Sequence, residues 1–487
     1  MLRPWKTILS INLDCEKAVY QQIADGIVDE IRKGRLRPGM PLPGTRVLAD
    51  DIGVNRKTIV TAYTELIDEG WLSTAYKKGT FVAETLPEAD RSRKKRPAQT
   101  PPAGFDFIQH QSIAITPGTK KTAIVFDDGW PDVHLAPLDD LARAYKRIFQ
   151  QKTRWRMMGY SDARGEERLR HALSAMLHHD RGLNAGADQV CITRGSQMAL
   201  YLTARTLVQP GDVVAIETPG YPPAFQAFQT AGAEMYPVST DEQGICATVL
   251  EALCRQRRIK AVYVTPHHQF PTTVSMKADR RLQLIALSNQ YGFAIVEDDY
   301  DHDYHFGIRS LLPLASMDNG GNIIYIGSLS KLIAPAVRVG YVAAPAPFIE
   351  SLAALRYIID RQGDPVMEHA VAELMEEGVV RRHARKALTI YRQRRLHMDA
   401  QLQQHLGKQV HYQMPEGGLA YWVNFRKPVD TVLLAQRLEA QGVQVSPPGR
   451  CAFDGSPLHA LRLGYASLTE ARLAEGIGKI ARVLQRL

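Results

Sequence analysis

Five short apolar runs, at 190–193, 212–216, 261–264, 293–296 and 323–326, recur between stretches of helical spacing. Runs of this kind do not alternate in and out, so each must be covered on both faces, and the intervening helices are what cover them. That requirement predicts an α/β domain on a mostly parallel sheet. In such sheets ligands gather beyond the carboxyl ends of strands, so residues just after the runs are the first candidates for a site.

Lys331 follows the last run, in a turn broken by Pro335. A lysine amine is a nucleophile only when part of it is neutral. Burial beside another cation, here expected to be Arg338, disfavours its charged form. Such an amine can condense with an aldehyde. Ser328, Ser330 and Arg338 would supply the hydroxyls and the fixed cation that a phosphate needs. After the first run, Gly195, Ser196 and Gln197 open a helix whose free amides also suit a phosphate. After the second, Tyr221 could stack on a planar ligand.

Glu297-Asp298-Asp299-Tyr300 follows the fourth run. A carboxylate at the end of an apolar strand is costly unless it meets a cation. Asp298 and Tyr300 lie two apart on an extended segment, so both can face one ligand. The sequence shows no clustered partner ligands around these acids, and the cysteines, Cys15, Cys191, Cys246, Cys254 and Cys451, form no Cys-x-x-Cys pair. No metal site is expected.

With 487 residues the chain exceeds one core, so a multidomain protein is expected. Its formal net charge of +9 favours an anionic partner. Residues 14–84 show where that partner would bind. Ile23, Ile27, Val28 and Ile31 trace one helix that Gly34 stops; Thr45 is placed as the N-cap of a second. After a turn at Gly53, Asn55 caps a third helix that closes at Gly70. Two short strands at 71–73 and 80–83 then flank a basic wing. This mainly α winged helix-turn-helix would present Asn55, Arg56, Lys57 and Thr58 to base edges and phosphates. Arg46 would act from the preceding helix, and Lys77, Lys78 and the Gly79 amide from the wing. A basic, proline-containing connector follows over 85–121, and the α/β domain occupies 122–487.

The segments at 42–49, 54–59, 62–66 and 78–82 resemble the winged helix-turn-helix of the GntR family of bacterial regulators. The body, with Gly195-Ser196-Gln197, Tyr221, Asp298-x-Tyr300, Ser328-x-Ser330-Lys331 and Arg338 in that order, resembles a fold-type I, pyridoxal-phosphate-dependent aminotransferase. The combination looks like the MocR subfamily. The resemblance implies that pyridoxal phosphate is held by these residues, with Asp298 at the ring nitrogen, Tyr300 at the phenolic oxygen and Lys331 in covalent linkage. It further implies a head-to-tail homodimer in which Tyr160 reaches the partner's cofactor phosphate, and an Arg462 that forks onto an effector carboxylate. Two departures stand out: Ala163 replaces a proline, and 265–273 replaces Asn-Pro-Thr-Gly. Phe270 thus stands where an asparagine would bond the ring oxygen, leaving that task to His268 or Gln269.

The expected function is a cytoplasmic regulator that binds operator DNA and senses pyridoxal phosphate, or an amine or amino acid that forms an external aldimine in place of Lys331. The alternatives are an active aminotransferase with a fused DNA-binding head, a cofactor-free scaffold, and a sensor of the cofactor alone. No apolar run approaches membrane-spanning length.

Overall fold

The computed structural model describes residues 17–75, 78–87, 123–152, 154–307, 311–318 and 320–487, with isolated positions at 5, 9, 11, 105 and 106. The chain divides into two compact units, Met1–Gln111 and Ser112–Leu487. Most of the connector and one expected wing residue, Lys77, lie outside the described residues.

In the first unit, α1 (Val19–Arg32) buries Ile23, Ile27, Val28 and Ile31. Its i, i+4 and i+8 spacing puts Ile23, Ile27 and Ile31 on one face. The second helix, α2 (Thr45–Ile52), is capped by Gly44. Thr45, expected as that cap, is instead the first helical residue, and its hydroxyl accepts a hydrogen bond from Arg56 Nε at 3.4 Å. Gly53, at φ 79°, ends α2 in the left-handed region that only glycine adopts without strain. The third helix, α3 (Arg56–Asp68), buries Ile59, Ala62 and Leu66. Asn55 caps it as expected, its side chain accepting the Lys57 amide at 2.8 Å. The antiparallel pair β1 (Leu72–Ala75) and β2 (Gly79–Val82) follows, with Leu72 opposite Val82.

The second unit is built on eight strands: β4 (Val190–Thr193), β5 (Val213–Thr218), β6 (Glu234–Asp241), β7 (Gly244–Ile245), β8 (Ile259–Val264), β9 (Ala294–Asp299), β10 (Ile323–Ser328) and β11 (Gly340–Ala343). They lie in the order β4-β11-β10-β9-β8-β5-β6-β7. From β10 to β6 every neighbouring pair is parallel, whereas β11 runs antiparallel to both β10 and β4. Each face is covered, as the apolar runs require. Ile324 and Ile326 pack with Leu200 and Leu202, while Tyr325 packs with Leu173 and Val371.

Three of the strands run past their apolar stretch at the carboxyl end. β9 continues through Asp298 and Asp299 because their backbones still pair, with Ile326 opposite Asp298 and Gly327 opposite Asp299. Asp298 and Ser328 therefore sit on strand ends rather than beyond them. Asp298 and Asp299, as neighbours on one strand, point to opposite faces of the sheet.

The remaining strands are β3 (Ile124–Phe126), which pairs in parallel with β14 (Val443–Val445), and an antiparallel sheet of β12 (Val410–His411), β13 (Ala420–Phe425) and β15 (Ala460–Gly464). Arg462 is the central residue of β15. Among the described residues no helix is long and apolar enough to cross a membrane. Replacing Asn55 by alanine removes the acceptor for the Lys57 amide and should cost the first unit about 1 kcal/mol, measurable as a lower urea midpoint for its unfolding.

Candidate functional site

Lys331 lies just past the carboxyl end of β10, beside the residues that follow β9, its neighbour in the sheet. Its amine lies 4.2 Å from the centroid of the Tyr300 ring. Burial holds its pKa below the usual lysine range, opposed by Asp301 and assisted by Arg462. The cation acting on Lys331 is therefore Arg462, not the expected Arg338. Arg338 follows β10 by ten residues, but its guanidinium turns away to donate to the Arg194 carbonyl at 2.9 Å.

That turn builds the other end of the site. Gly195, at φ 79°, is the N-cap of the helix Ser196–Leu207. A Cβ on it would meet Arg338 Nη2 at 2.6 Å, so only glycine lets the guanidinium lie over this helix start. Ser328 Oγ accepts the Ser330 amide at 3.1 Å, and the buried Ser330 Oγ has no partner. Gln197 is exposed in the first helical turn. These groups form a cradle of helix-start amides, two hydroxyls and one guanidinium.

Across the site, Asp298 is 3% exposed. Its Oδ2 accepts from the Tyr263 hydroxyl at 2.9 Å, while its Oδ1 has no partner. Burial pushes this carboxyl up to about 7. Tyr263 escaped the sequence reading because it lies inside an apolar run, where the polar tip of a tyrosine gives no periodic signal. Tyr221 meets Phe270 edge to face, with ring centroids 5.0 Å apart.

The segment that departs from Asn-Pro-Thr-Gly is committed elsewhere. Gln269 Nε2 donates to the carbonyls of Pro219 at 2.7 Å and Phe270 at 2.6 Å. His268 Nδ1 lies 2.7 Å from Asp301 Oδ1. Gln269 is thus occupied within its own turn, and the Tyr300 hydroxyl, expected to face the ligand, donates to the His268 carbonyl at 2.6 Å. Arg462 stands over the Phe270 ring at 4.7 Å and donates to the carbonyls of Asp128 and Pro271. Tyr160 is not brought to this site; it is 79% exposed, with the Arg361 guanidinium over its ring.

In the first unit Arg46, Asn55, Arg56, Lys57, Lys78 and Gly79 are exposed and Thr58 is partly buried. Val47, next to Arg46, is 56% exposed.

The profile of bacterial regulatory proteins of the gntR family matches residues 19–82, and that of aminotransferase class I and II matches 127–480. The chain is 33% identical over 484 residues to the HTH-type transcriptional regulator TauR of Rhodobacter capsulatus, covering 96% of this chain and 95% of that one. It is 28% identical over 473 residues to the probable rhizopine catabolism regulatory protein MocR of Rhizobium meliloti, covering 97% and 95%. The chain belongs to the MocR subfamily of GntR-family regulators. The body also matches the α-aminoadipate aminotransferase LysN of Thermus thermophilus, solved with a phosphopyridoxyl-leucine adduct, at a TM-score of 0.71 and 28% identity over 75% of this chain and 93% of that one.

A MocR chain is a DNA-binding regulator with a fold-type I body whose cofactor is pyridoxal phosphate. The residues present fit that group. The orphaned Ser330 Oγ and the cradle closed by a Gly195 Cβ suit its phosphate, and the orphaned Asp298 Oδ1 suits its protonated ring nitrogen.

Gly195→Ala should destabilise the body by about 1–3 kcal/mol through backbone strain alone, since φ 79° with ψ 171° is a region nearly reserved to glycine, and weaken pyridoxal phosphate binding by displacing Arg338, read by spectrophotometric titration. Lys331 gives a pH test. Its folded pKa is lowered, so between that value and the unfolded one the unfolded chain holds the extra proton. The cofactor-free protein is penalised fully below the folded pKa and less as pH rises toward about 10.5. Lys331→Met should therefore be more stable than wild type at pH 7, with the gap closing toward pH 10.5 in urea titrations.

Proposed function

We propose that this MocR protein couples operator binding to amine exchange at Lys331, with pyridoxal phosphate held in the body and a small amine or amino acid as the effector. The observation that carries the reading is a lysine amine held below its ordinary pKa opposite an unpartnered buried carboxylate oxygen, in a chain whose other unit is a winged helix-turn-helix.

The amides of Ser196 and Gln197, the hydroxyls of Ser328 and Ser330 and the Arg338 guanidinium would hold the phosphate. Asp298 Oδ1 would accept a hydrogen bond from the protonated ring nitrogen and keep it charged, and Tyr221 and Phe270 would wall the ring. Tyr300 lies alongside the Lys331 amine, and Phe270 takes no hydrogen bond to the ring oxygen. When bound, pyridoxal phosphate supplies an aldehyde carbon that one amine after another can attack. Arg462 would fork onto a carboxylate of the effector, exchanging its present carbonyl contacts for charge-assisted ones. Once displaced, Lys331 can take up a proton beside Asp301. The site then holds a different charge and one fewer tether, and the equilibrium between arrangements of the dimer shifts only by the effector's preference among them.

The exposed Tyr160, Trp155 and Ile358 support a homodimer in which Tyr160 completes the partner's site. Two heads so paired would read half-sites at a fixed spacing through Arg46, Asn55, Arg56, Lys57, Thr58 and the wing. The second reading, an active aminotransferase, is favoured by the full set of Lys331, Asp298 and Arg462; turnover of amino donor to keto acid would support it.

Gel-shift titrations test the proposal. Lys331→Ala should bind operator DNA like wild type yet lose its response to pyridoxal phosphate and amines; an unchanged response in that variant would sink the coupling. Arg462→Ala should raise the concentration of a carboxylate-bearing effector needed for half response by about tenfold or more, and shift the response to simple amines much less, only through its effect on the Lys331 amine.

A further inference from the structure

We infer that His267, Asp299 and His302 form a binding site for one divalent cation of the zinc class. The cluster lies on the face of β9 opposite Asp298. His302 is 3 residues from Asp299, but His267 is 32 residues away, so the sequence does not show the three as one group, and folding brings ligand-type side chains together beside Glu297-Asp298-Asp299.

The geometry is that of a small coordination shell. His302 Nδ1 lies 2.9 Å and His267 Nδ1 3.7 Å from Asp299 Oδ2. One ligand atom from each of the three residues fits within 4.8 Å. Bonds of about 2.0–2.1 Å in a tetrahedral shell place ligand atoms about 3.3 Å apart, between the two measured separations. The imidazoles already meet at a steep angle, with ring centroids 4.4 Å apart.

Hydrogen bonds account for only part of the cluster: His302 Nδ1 and the Tyr325 hydroxyl bond Asp299 Oδ2, and the remaining polar atoms are left over. His267 is 2% exposed, yet neither ring nitrogen has a partner, and Asp299 Oδ1 is also unpartnered. Leaving three such atoms dry costs about 1–3 kcal/mol each. A cation bonded to one His267 nitrogen and to Asp299 Oδ1 as well as Oδ2 relieves two of the three. The surroundings supply what metal ligands use as outer support: the Tyr325 hydroxyl donates to Asp299 Oδ2 at 2.7 Å, and Arg181 donates to Tyr325 and to Asp303. Arg181 and Arg281 oppose a dication, while Asp303 and Glu297 offset them. Two imidazoles and one carboxylate without a thiolate select a borderline divalent metal over calcium or magnesium.

Such an ion would tie the loop that carries His268 and Phe270 to the end of β9, one residue from Asp298. It would fix both walls of the Lys331 site from behind.

The test uses untagged full-length protein with its cofactor, dialysed against zinc chloride and then buffer. We expect about one zinc per chain by plasma mass spectrometry, lost in His267→Gln and His302→Gln but kept when His178 and His179 on the surface are replaced. Cobalt(II) in wild type should give the visible absorption of a tetrahedral nitrogen–oxygen site, a readout that needs no variant to fold. An internal water only, with no zinc and no cobalt spectrum in wild type, overturns the inference. So does zinc retained equally by both histidine variants.

Discussion

The body is organised by one constraint: charge placed at the carboxyl end of a strand that the sheet buries on both sides. β9 ends in three acids, and each is handled differently. Glu297 accepts the amides of Leu314 and Ala315, and burial still lifts its carboxyl to about 7. Asp298 keeps one oxygen on Tyr263 and leaves the other unpartnered toward Lys331. Burial would raise the Asp299 carboxyl, but His267, His302 and the buried Arg181 outweigh it and hold it well below the usual carboxylate range. Strand parity separates the last two, so one strand end serves a ligand face and a supporting face at once.

The loop after β8 shows how the same scaffold is set for binding. Gln269 and the Tyr300 hydroxyl are engaged with backbone carbonyls, and an aromatic ring stands where the resemblance implies an amide. An aromatic wall holds a planar ring by contact area and leaves the electronics of the ring oxygen untuned. Arg462, stacked on that ring and bonded to two carbonyls, is held in place before any carboxylate arrives. Its stacking on Phe270 keeps the guanidinium near the site, while the two carbonyl contacts must be exchanged for the carboxylate. Both features favour recognition of a ligand over its rapid conversion.

The sheet was legible in the sequence because burial on both faces leaves unbroken apolar runs, and every one of the five became a strand. Strand ends were less legible: backbone pairing carries β9 through Asp299 and β10 through Ser328, past the point where hydrophobicity stops. The helix starts split the same way. Asn55 reads as a cap because its side chain does the capping, whereas at α2 the Gly44 backbone does it and Thr45 gives a false signal. The candidate site was legible as a set of residues but not as a set of contacts. Arg338 is near Lys331 in sequence, yet Arg462, 131 residues away, is the cation that acts on it. Partners that arrive by tertiary folding, Tyr263 for Asp298 and His268 for Asp301, leave no trace in spacing.

Whether such a site can move a DNA-binding head is a question of magnitude. Reversing a two-state equilibrium from about 1:99 to 99:1 takes a differential affinity of about 5.5 kcal/mol. Hydrogen bonds to charged groups contribute about 1.5–3 kcal/mol each, so a carboxylate forked on Arg462 supplies about 3–6 kcal/mol if both bonds form in only one arrangement. Giving up the contacts to the Asp128 and Pro271 carbonyls in that arrangement costs a similar amount, so a full switch needs a contribution beyond Arg462, of which the freed Lys331 is the nearest source. An amine lacking a carboxylate has no claim on Arg462, and its differential must come from the freed Lys331 alone. The response to effectors should accordingly be graded by what they offer Arg462, with cofactor occupancy setting the baseline.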